Sequence, residues 1–139
     1  MSSSDPTTWL DLATSDAVAA RRLLLPPASL PQAAYLAQQA AEKAIKARLV
    51  DLRISHPRQG GRGHDLVALA DLVPNADPLK ARYAAISAIT PWATAFRYPS
   101  DDPATQARVT VQEIEERLTQ IEETIRYLQT ALRDRARPA

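Results

Sequence analysis

The sequence predicts an all-α protein, an up-and-down bundle of four long helices and one short helix. Apolar residues recur at helical spacing along most of the chain, and no run alternates between apolar and polar residues as a half-buried strand would. Cap residues followed by proline also precede three of the apolar stripes, where helices begin. Since short connections between long helices favour antiparallel neighbours, the helices are expected to run up and down. The 139 residues suffice for a single domain over 1–139 with one hydrophobic core.

The composition narrows the classes of function. The net charge is +1, so the overall charge predicts neither nucleic acid nor a membrane surface as the partner. The chain has no cysteine, two histidines and no Glu-x-x-His pair, so we expect no metal and no other cofactor. The longest uncharged run, 23–41, contains three prolines and three glutamines and is not a membrane span. Because the N-terminus also lacks a signal-peptide pattern, a cytoplasmic protein is expected.

Two helices are predicted in the N-terminal half. The first covers 6–25 and follows the N-cap Asp5, and the second covers 30–52 and follows the N-cap Ser29. The inward stripe of the first comprises Trp9, Leu12, Ala13, Ala17, Ala20 and Leu24. The inward stripe of the second comprises Leu30, Ala34, Ala37, Ala41, Ile45 and Leu52. Glu42 and Lys46, one turn apart, are expected to form an ion pair on the solvent side of the second helix.

Three more helices follow a loop over 53–63, which contains all three glycines. A short helix is expected over 64–73, a fourth helix over 78–96 with a kink at Pro91, and a fifth over 103–133. The apolar residues of the fifth alternate between spacings of three and four: Val111, Ile114, Leu118, Ile121, Ile125, Leu128 and Leu132. This seam predicts a long helix that packs into the bundle, with a free coiled coil as the alternative.

The glycine-containing loop and its flank are the first candidate site. They carry Arg53, His56, Arg58, Arg62 and His64 without an acidic residue. Glycine allows the backbone to approach an anion closely, and arginine binds phosphate with two hydrogen bonds. The loop therefore predicts an anion site, and a solvated basic loop is the alternative. For His64 by itself, a structural role at the start of the short helix is the better interpretation.

The stretch AFRYPSDDP, between the fourth and fifth helices, is the second candidate site. Pro99 ends the fourth helix and Asp102 caps the fifth. Neither Arg97 nor Tyr98 is needed for that boundary. Arg97 either extends its charged end to solvent, pairs with a neighbouring acid such as Asp101 or Asp102, or belongs to a binding site.

Four motifs, in this order, resemble HEPN domains, the higher-eukaryote and prokaryote nucleotide-binding helical bundles. They are Trp9 in the first helix, AYLAQQAAEKAIKARL in the second, GHDL at 63–66 and RYP at 97–99. The resemblance covers 9–99, and the last helix also fits. It implies a helical bundle that is often a homodimer and that binds a nucleotide or RNA. It further implies a possible partnership with a small nucleotidyltransferase, in a toxin–antitoxin or defence setting.

Many HEPN members are metal-independent ribonucleases with an Arg-x4–6-His motif, and this chain departs from it. Counted from Arg97, the positions that should hold histidine are Asp102, Pro103 and Ala104. Arg58 and His64 have the right spacing, but they precede the short helix, where the motif does not belong. The resemblance therefore favours binding over catalysis.

The residues that the resemblance and the loop chemistry together assign to ligand binding are Arg97, Tyr98, His64, Arg58 and Arg62. Arginine can hold a phosphate, and tyrosine can stack on a base. An active ribonuclease toxin and a non-catalytic dimerising module remain the alternatives. A homodimer is expected in addition because a small bundle with few large aromatic side chains gains by burying apolar surface between copies.

Overall fold

The computed structural model describes residues 5–56, 65–93 and 109–136. These residues form a helical bundle without a strand, which confirms the predicted all-α class. The elements are α1 (Pro6–Leu23), α2 (Leu30–Asp51), α3 (Leu66–Leu72), α4 (Lys80–Ile86), a 3₁₀ helix (Ser87–Ala93) and α5 (Val111–Ala136). The predicted division into four long helices and one short helix is wrong. Of the α-helices described, three are long and two are short.

The fourth predicted helix is shorter than expected at its start and changes character at its end. The Asp77 carboxylate accepts a hydrogen bond of 2.9 Å from the backbone N–H of Leu79, and the α-helix begins only at Lys80. From Ser87 onward the helix is 3₁₀ and contains Pro91. Proline has no N–H to donate to the carbonyl four residues earlier. That carbonyl, of Ser87, instead accepts the Thr90 hydroxyl at 2.9 Å.

Two other helices begin later than predicted. The helix α3 starts at Leu66, where the Asp65 carboxylate accepts from the N–H of Ala68 at 3.2 Å. The helix α5 starts at Val111, since residues 109–110 are not helical. Its N-terminal cap is the Thr110 hydroxyl, which accepts from the N–H of Glu113 at 3.1 Å. The expected cap at Asp102 lies outside the described residues.

The inward face of α1 differs by one position from the predicted stripe. Leu12 is 46% exposed, whereas Leu10, two residues earlier, is only 1% exposed. The three alanines of the stripe, Ala13, Ala17 and Ala20, are buried as predicted, and Trp9 and Leu24 are partly buried. The buried face of α1 is therefore centred on small residues, which allow α2 to approach closely.

The helix α2 lies at the centre of the bundle and packs against α1, α3, the 3₁₀ helix and α5. This position overturns one prediction. The side chains of Glu42 and Lys46 are only 6% and 4% exposed, and they pair at 3.1 Å inside the protein. The Lys46 ammonium also lies 5.7 Å from the centroid of the Trp9 ring. Neighbouring helices cover several faces of α2, so residues opposite its apolar stripe, such as Glu42 and Lys46, are also buried.

The seam of α5 packs into the bundle, as its spacing predicted. Ile114, Leu118, Ile121, Ile125 and Leu128 are buried, and α5 contacts α1, α2 and α4. A bidentate pair joins Arg21 of α1 to Glu122 of α5, with Nε–Oε2 at 3.1 Å and Nη2–Oε1 at 2.7 Å. The hydrogen bond to Glu122 is the main cause that raises the pKa of Arg21.

The directions of the helices fit an up-and-down arrangement. Near its C-terminus, α5 places Arg135 against Asp51, the last residue of α2, so α2 and α5 run in the same direction. Arg82 at the start of α4 pairs with Glu123, whereas the backbone oxygen of Ala85, near the end of α4, accepts from Arg117 at 3.5 Å. The segment from α4 through the 3₁₀ helix therefore runs opposite to α5. In the described part of the chain, no helix has both the length and the apolar content that crossing a bilayer requires.

Candidate functional site

All five residues predicted to bind a ligand lie outside the described residues. Arg58, Arg62 and His64 fall in 57–64, and Arg97 and Tyr98 fall in 94–108. The structure does describe the residues that flank both segments. Contacts between these flanking residues show how close the ends of the two segments lie to each other.

The two segments have flanks that touch. The backbone N–H of Leu66 donates a hydrogen bond of 3.0 Å to the Thr90 hydroxyl. Leu66 is two residues after His64, and Thr90 is seven residues before Arg97. Leu66 is buried, so this bond satisfies a backbone donor that water does not reach. The start of α3 and the 3₁₀ helix that leads toward Arg97 are thus held together.

An open groove lies at the C-terminal end of the 3₁₀ helix. Its volume is about 450 Å³, and its walls are formed by Ala88, Ile89, Trp92, Glu113, Glu116, Arg117 and Gln120. Arg117 donates to the Gln120 side chain at 3.2 Å, which holds its guanidinium at the groove. An indole, a guanidinium and two carboxylates give this groove a mixed character. It adjoins the last described residues before 94–108.

On the other side of the first undescribed segment, His56 closes the turn that follows α2. Its ring nitrogen Nδ1 lies 3.3 Å from the backbone oxygen of Ile54. Arg53, in the same turn, is exposed and has a positive φ of 58°. These two members of the basic loop therefore belong to the end of α2, and the histidine has a local structural contact.

A cluster of charged side chains lies at the C-terminal end of α2. Arg48 donates to Asp77 at 2.6 Å and to Asp51 at 2.5 Å. Arg135 of α5 also pairs with Asp51. Burial by itself would lower the pKa of Arg48, but the hydrogen bond to Asp77 and the charges nearby raise it overall. The guanidinium therefore remains charged and ties α2 to the turn before α4.

Tyr83 lies fully buried beside this cluster. Among the described residues, its hydroxyl has no hydrogen-bond partner. Burial raises the pKa of the Tyr83 hydroxyl, the negative charge of Asp77 raises it further, and Arg48 partly opposes the shift. A neutral phenol in this position serves packing. The cluster joins α2 to the turn before α4 and to α5, so its role is structural.

A second open surface lies between α4 and α5. The guanidinium carbon of Arg82 is 4.2 Å from the centroid of the Tyr127 ring, and Arg82 pairs with Glu123 at 3.3 Å. Together with Arg126 and Thr130, these residues line an open cavity of about 480 Å³. The sequence analysis missed this surface. The available signal was Tyr127 itself, a large aromatic residue placed off the apolar seam of α5.

The described residues contain no group of three or more His, Asp or Glu side chains that could hold a metal ion. Next to the undescribed segments, the described residues include the side chains of Trp92 and Arg117 and the turn that contains Ile54 and His56.

The comparison with protein families decides the family of the chain. The HEPN domain family matches residues 7–131, from the first turn of α1 to the last part of α5. The chain belongs to the HEPN domain family. No curated protein and no solved structure matches it significantly.

In this HEPN domain, the family-like segments occupy distinct places. The AEKAIKA segment of α2 supplies the buried Glu42–Lys46 pair, next to Trp9 of α1. The end of the GHDL segment caps and begins α3. The RYP segment lies outside the described residues. The resemblance seen in the sequence is therefore confirmed at the level of the family, and its binding residues remain predictions.

Proposed function

We propose that this HEPN protein binds a nucleotide or RNA through Arg97 and Tyr98, with His64, Arg58 and Arg62 contributing from the preceding loop. Membership in the HEPN family supports a nucleotide- or RNA-related function. In the proposed site, Arg97 binds a phosphate with two hydrogen bonds, Tyr98 stacks on a base, and the loop arginines add positive charge.

The observation that carries this proposal is the hydrogen bond from Leu66 to Thr90. It joins the residue just after the basic loop to the helix that leads to Arg97. Two segments that are far apart in sequence, one basic and one with the RYP motif, thus have flanking residues in contact, since Leu66 follows the first segment and Thr90 precedes the second. This supports a single cleft formed by both segments.

The proposed protein binds its ligand without cleaving it. In the family, four to six residues separate the arginine from the histidine that takes part in cleavage, and here the corresponding positions hold Asp102, Pro103 and Ala104. Alanine and proline have no ionisable side chain, and an ordinary aspartate is already ionised at neutral pH, where an imidazole still exchanges its proton.

We propose further that the protein is cytoplasmic, forms a homodimer, and has a small nucleotidyltransferase as its partner in a toxin–antitoxin or defence setting. The homodimer follows from the small bundle and the few large aromatic side chains. The partner and the setting follow from the resemblance. A monomeric mass in solution at tens of micromolar would contradict the homodimer.

The test of the binding site is a titration of labelled RNA and of ATP into the wild type and Arg97→Ala. The variant is expected to bind about 5- to 150-fold more weakly, which corresponds to a lost charged hydrogen bond of about 1–3 kcal/mol. Arg22→Ala is the matched control, because Arg22 is an exposed arginine on α1. Equal affinity of Arg97→Ala and wild type would remove Arg97 from the site.

A second measurement distinguishes binding from catalysis. Purified protein is incubated with RNA in the absence of metal, and the RNA is examined for cleavage. Intact RNA is the expected result. Cleavage that is lost in Arg97→Ala would favour the ribonuclease alternative instead.

A further inference from the structure

The surface between α4 and α5 contains a tyrosine ring that is fixed on one side and open on the other. The Arg82 guanidinium carbon lies 4.2 Å from the Tyr127 ring centroid, and the Arg82–Glu123 pair holds the guanidinium in that position. Tyr127 is nonetheless 49% exposed. An aromatic ring held in this way has one free face on which another planar group can stack.

The same surface carries more positive than negative charge. Arg126 is exposed and has no ion-pair partner among the described residues. Thr130, one turn further along α5, is exposed and adds a hydroxyl group to the cavity of about 480 Å³. Within the cavity lining, two arginines stand against Glu123 alone. A planar, anionic ligand therefore fits this surface better than a cationic or purely apolar one.

We propose that Tyr127, Arg82 and Arg126 form a second contact for single-stranded RNA, in which Tyr127 stacks one base and Arg126 binds the adjacent phosphate. This surface is called the Tyr127 platform below. The inference rests on the proposed RNA binding, and it specifies that the ligand is an oligonucleotide. A ring with a free face accepts any base, so the platform adds affinity rather than sequence specificity.

The position of the platform along α5 supports a ligand longer than one nucleotide. Glu113, at one end of the groove beside the 3₁₀ helix, lies fourteen residues before Tyr127, which is about 21 Å along the helix. Gln120, at the other end of the groove, lies only seven residues before Tyr127, about 10 Å. The groove and the Tyr127 platform therefore follow one another along α5, and a single strand of several nucleotides can cover both.

Two other roles for the platform explain less. A purely structural role accounts for the Arg82–Tyr127 stack, which links α4 to α5, but not for Arg126. A symmetric contact between two copies would bring like-charged arginines together across the two-fold axis, which is unfavourable. Asp134, exposed two turns beyond Tyr127, is about 10 Å away along the helix, a distance over which salt screens its charge.

The test is fluorescence anisotropy with a labelled single-stranded RNA of about ten nucleotides, a length within the range of such sites. Tyr127→Ala is expected to weaken binding roughly 5- to 150-fold, whereas Tyr127→Phe keeps the ring and keeps the affinity. Arg126→Ala is expected to reduce the slope of log affinity against log salt by about 0.7, the value for one lost phosphate contact on a single strand. Arg22→Ala again controls for the loss of an exposed arginine.

Several outcomes overturn the inference. If Tyr127→Ala and Arg126→Ala bind RNA like the wild type, the Tyr127 platform is not a contact, and the proposed function stands. If the wild type binds ATP but no RNA, the platform fails and the proposed function stands. If the wild type binds neither RNA nor ATP, both fail. If Tyr127→Ala changes the mass in solution rather than RNA affinity, the surface is a protein interface. Should Tyr127→Ala not fold, Arg126→Ala decides, and a salt slope equal to that of the wild type overturns the platform.

Discussion

Arg48 in α2 and Asp77 in the turn before α4 form an ion pair of 2.6 Å, in which the Asp77 side chain is only 2% exposed. The two residues are 29 positions apart, and they join the central helix to the segment that continues into the 3₁₀ helix. The pair therefore helps to fix the position of α4 and of the 3₁₀ helix that precedes Arg97 in the sequence.

Asp77→Asn is expected to lower the free energy of unfolding by about 1.5–3 kcal/mol, because a hydrogen bond to a buried charged group is weakened. Urea denaturation measures this loss. Glu123→Gln is the control, since it weakens a pair whose partners are both well exposed, and a change below about 1 kcal/mol is expected there. Equal effects of both substitutions would show that Asp77 is no more important than a surface acid.

Lys46→Met and Glu42→Gln are each expected to destabilise the fold by about 3–5 kcal/mol, because each removes one charge of a buried pair and leaves the other. The double variant should cost less than the sum of the two, because it leaves no charge alone in the interior. A double-mutant cycle in urea measures the coupling. Strictly additive effects would mean that the two side chains do not interact in solution.

Tyr83→Phe is expected to leave stability unchanged or slightly increased at pH 7, because the buried hydroxyl has no partner among the described residues. The pH dependence has a definite sign. The pKa of Tyr83 is raised in the folded protein, so above the unfolded value of about 10 the unfolded chain loses this proton first, and stability falls. Tyr83→Phe should therefore lose less stability than wild type between pH 9 and pH 11 in thermal melts. Parallel pH curves would contradict the prediction.

Leu10→Ala and Leu12→Ala form a matched pair that tests which face of α1 is inside. Leu10 is fully buried, so its truncation should cost about 2–5 kcal/mol. Leu12 is exposed, and its truncation should stay within about 0.5 kcal/mol. Thermal unfolding of both variants measures the difference. A larger effect at Leu12 would indicate that its face of α1 is covered, for example by a second copy of the chain.

Thr90→Val removes the hydroxyl that accepts the Leu66 N–H and is expected to destabilise the protein by about 1–3 kcal/mol. Because this bond joins the flanks of the two proposed binding segments, RNA affinity should also fall. Thr14→Val is the control, since the Thr14 hydroxyl bonds only within α1, at 2.8 Å to Leu10. Unchanged RNA affinity in a folded Thr90→Val protein would separate the flanks from the binding site.

The apolar seam of α5 was predictable residue by residue. Spacings of three and four place Ile114, Leu118 and Ile121 on one side of any helix, whatever surrounds it. The start of α4 was less predictable. Asp77 precedes a proline, as an N-cap residue does, but its carboxylate accepts hydrogen bonds from the Leu79 N–H and from Arg48, a residue that no local pattern connects to it.

The candidate site was likewise only partly predictable from the sequence. The residue types at Arg97, Tyr98 and the basic loop were visible in the sequence, as was the resemblance to HEPN domains. The platform at Tyr127 was not visible, because it depends on Arg82 arriving from another helix. The spacing of residues along one helix does not predict which residue of another helix will stack on it.

The sequence by itself determined the helical class, most of the faces that the helices bury, and the family, because these depend on short-range periodicity and on local motifs. Only the tertiary structure decided that Glu42 and Lys46 are inside. Periodicity along α2 shows which face is apolar, but burial depends on how many neighbours surround the helix. At the centre of this bundle, charged side chains are enclosed because α1 covers the face that one helix alone would leave to water.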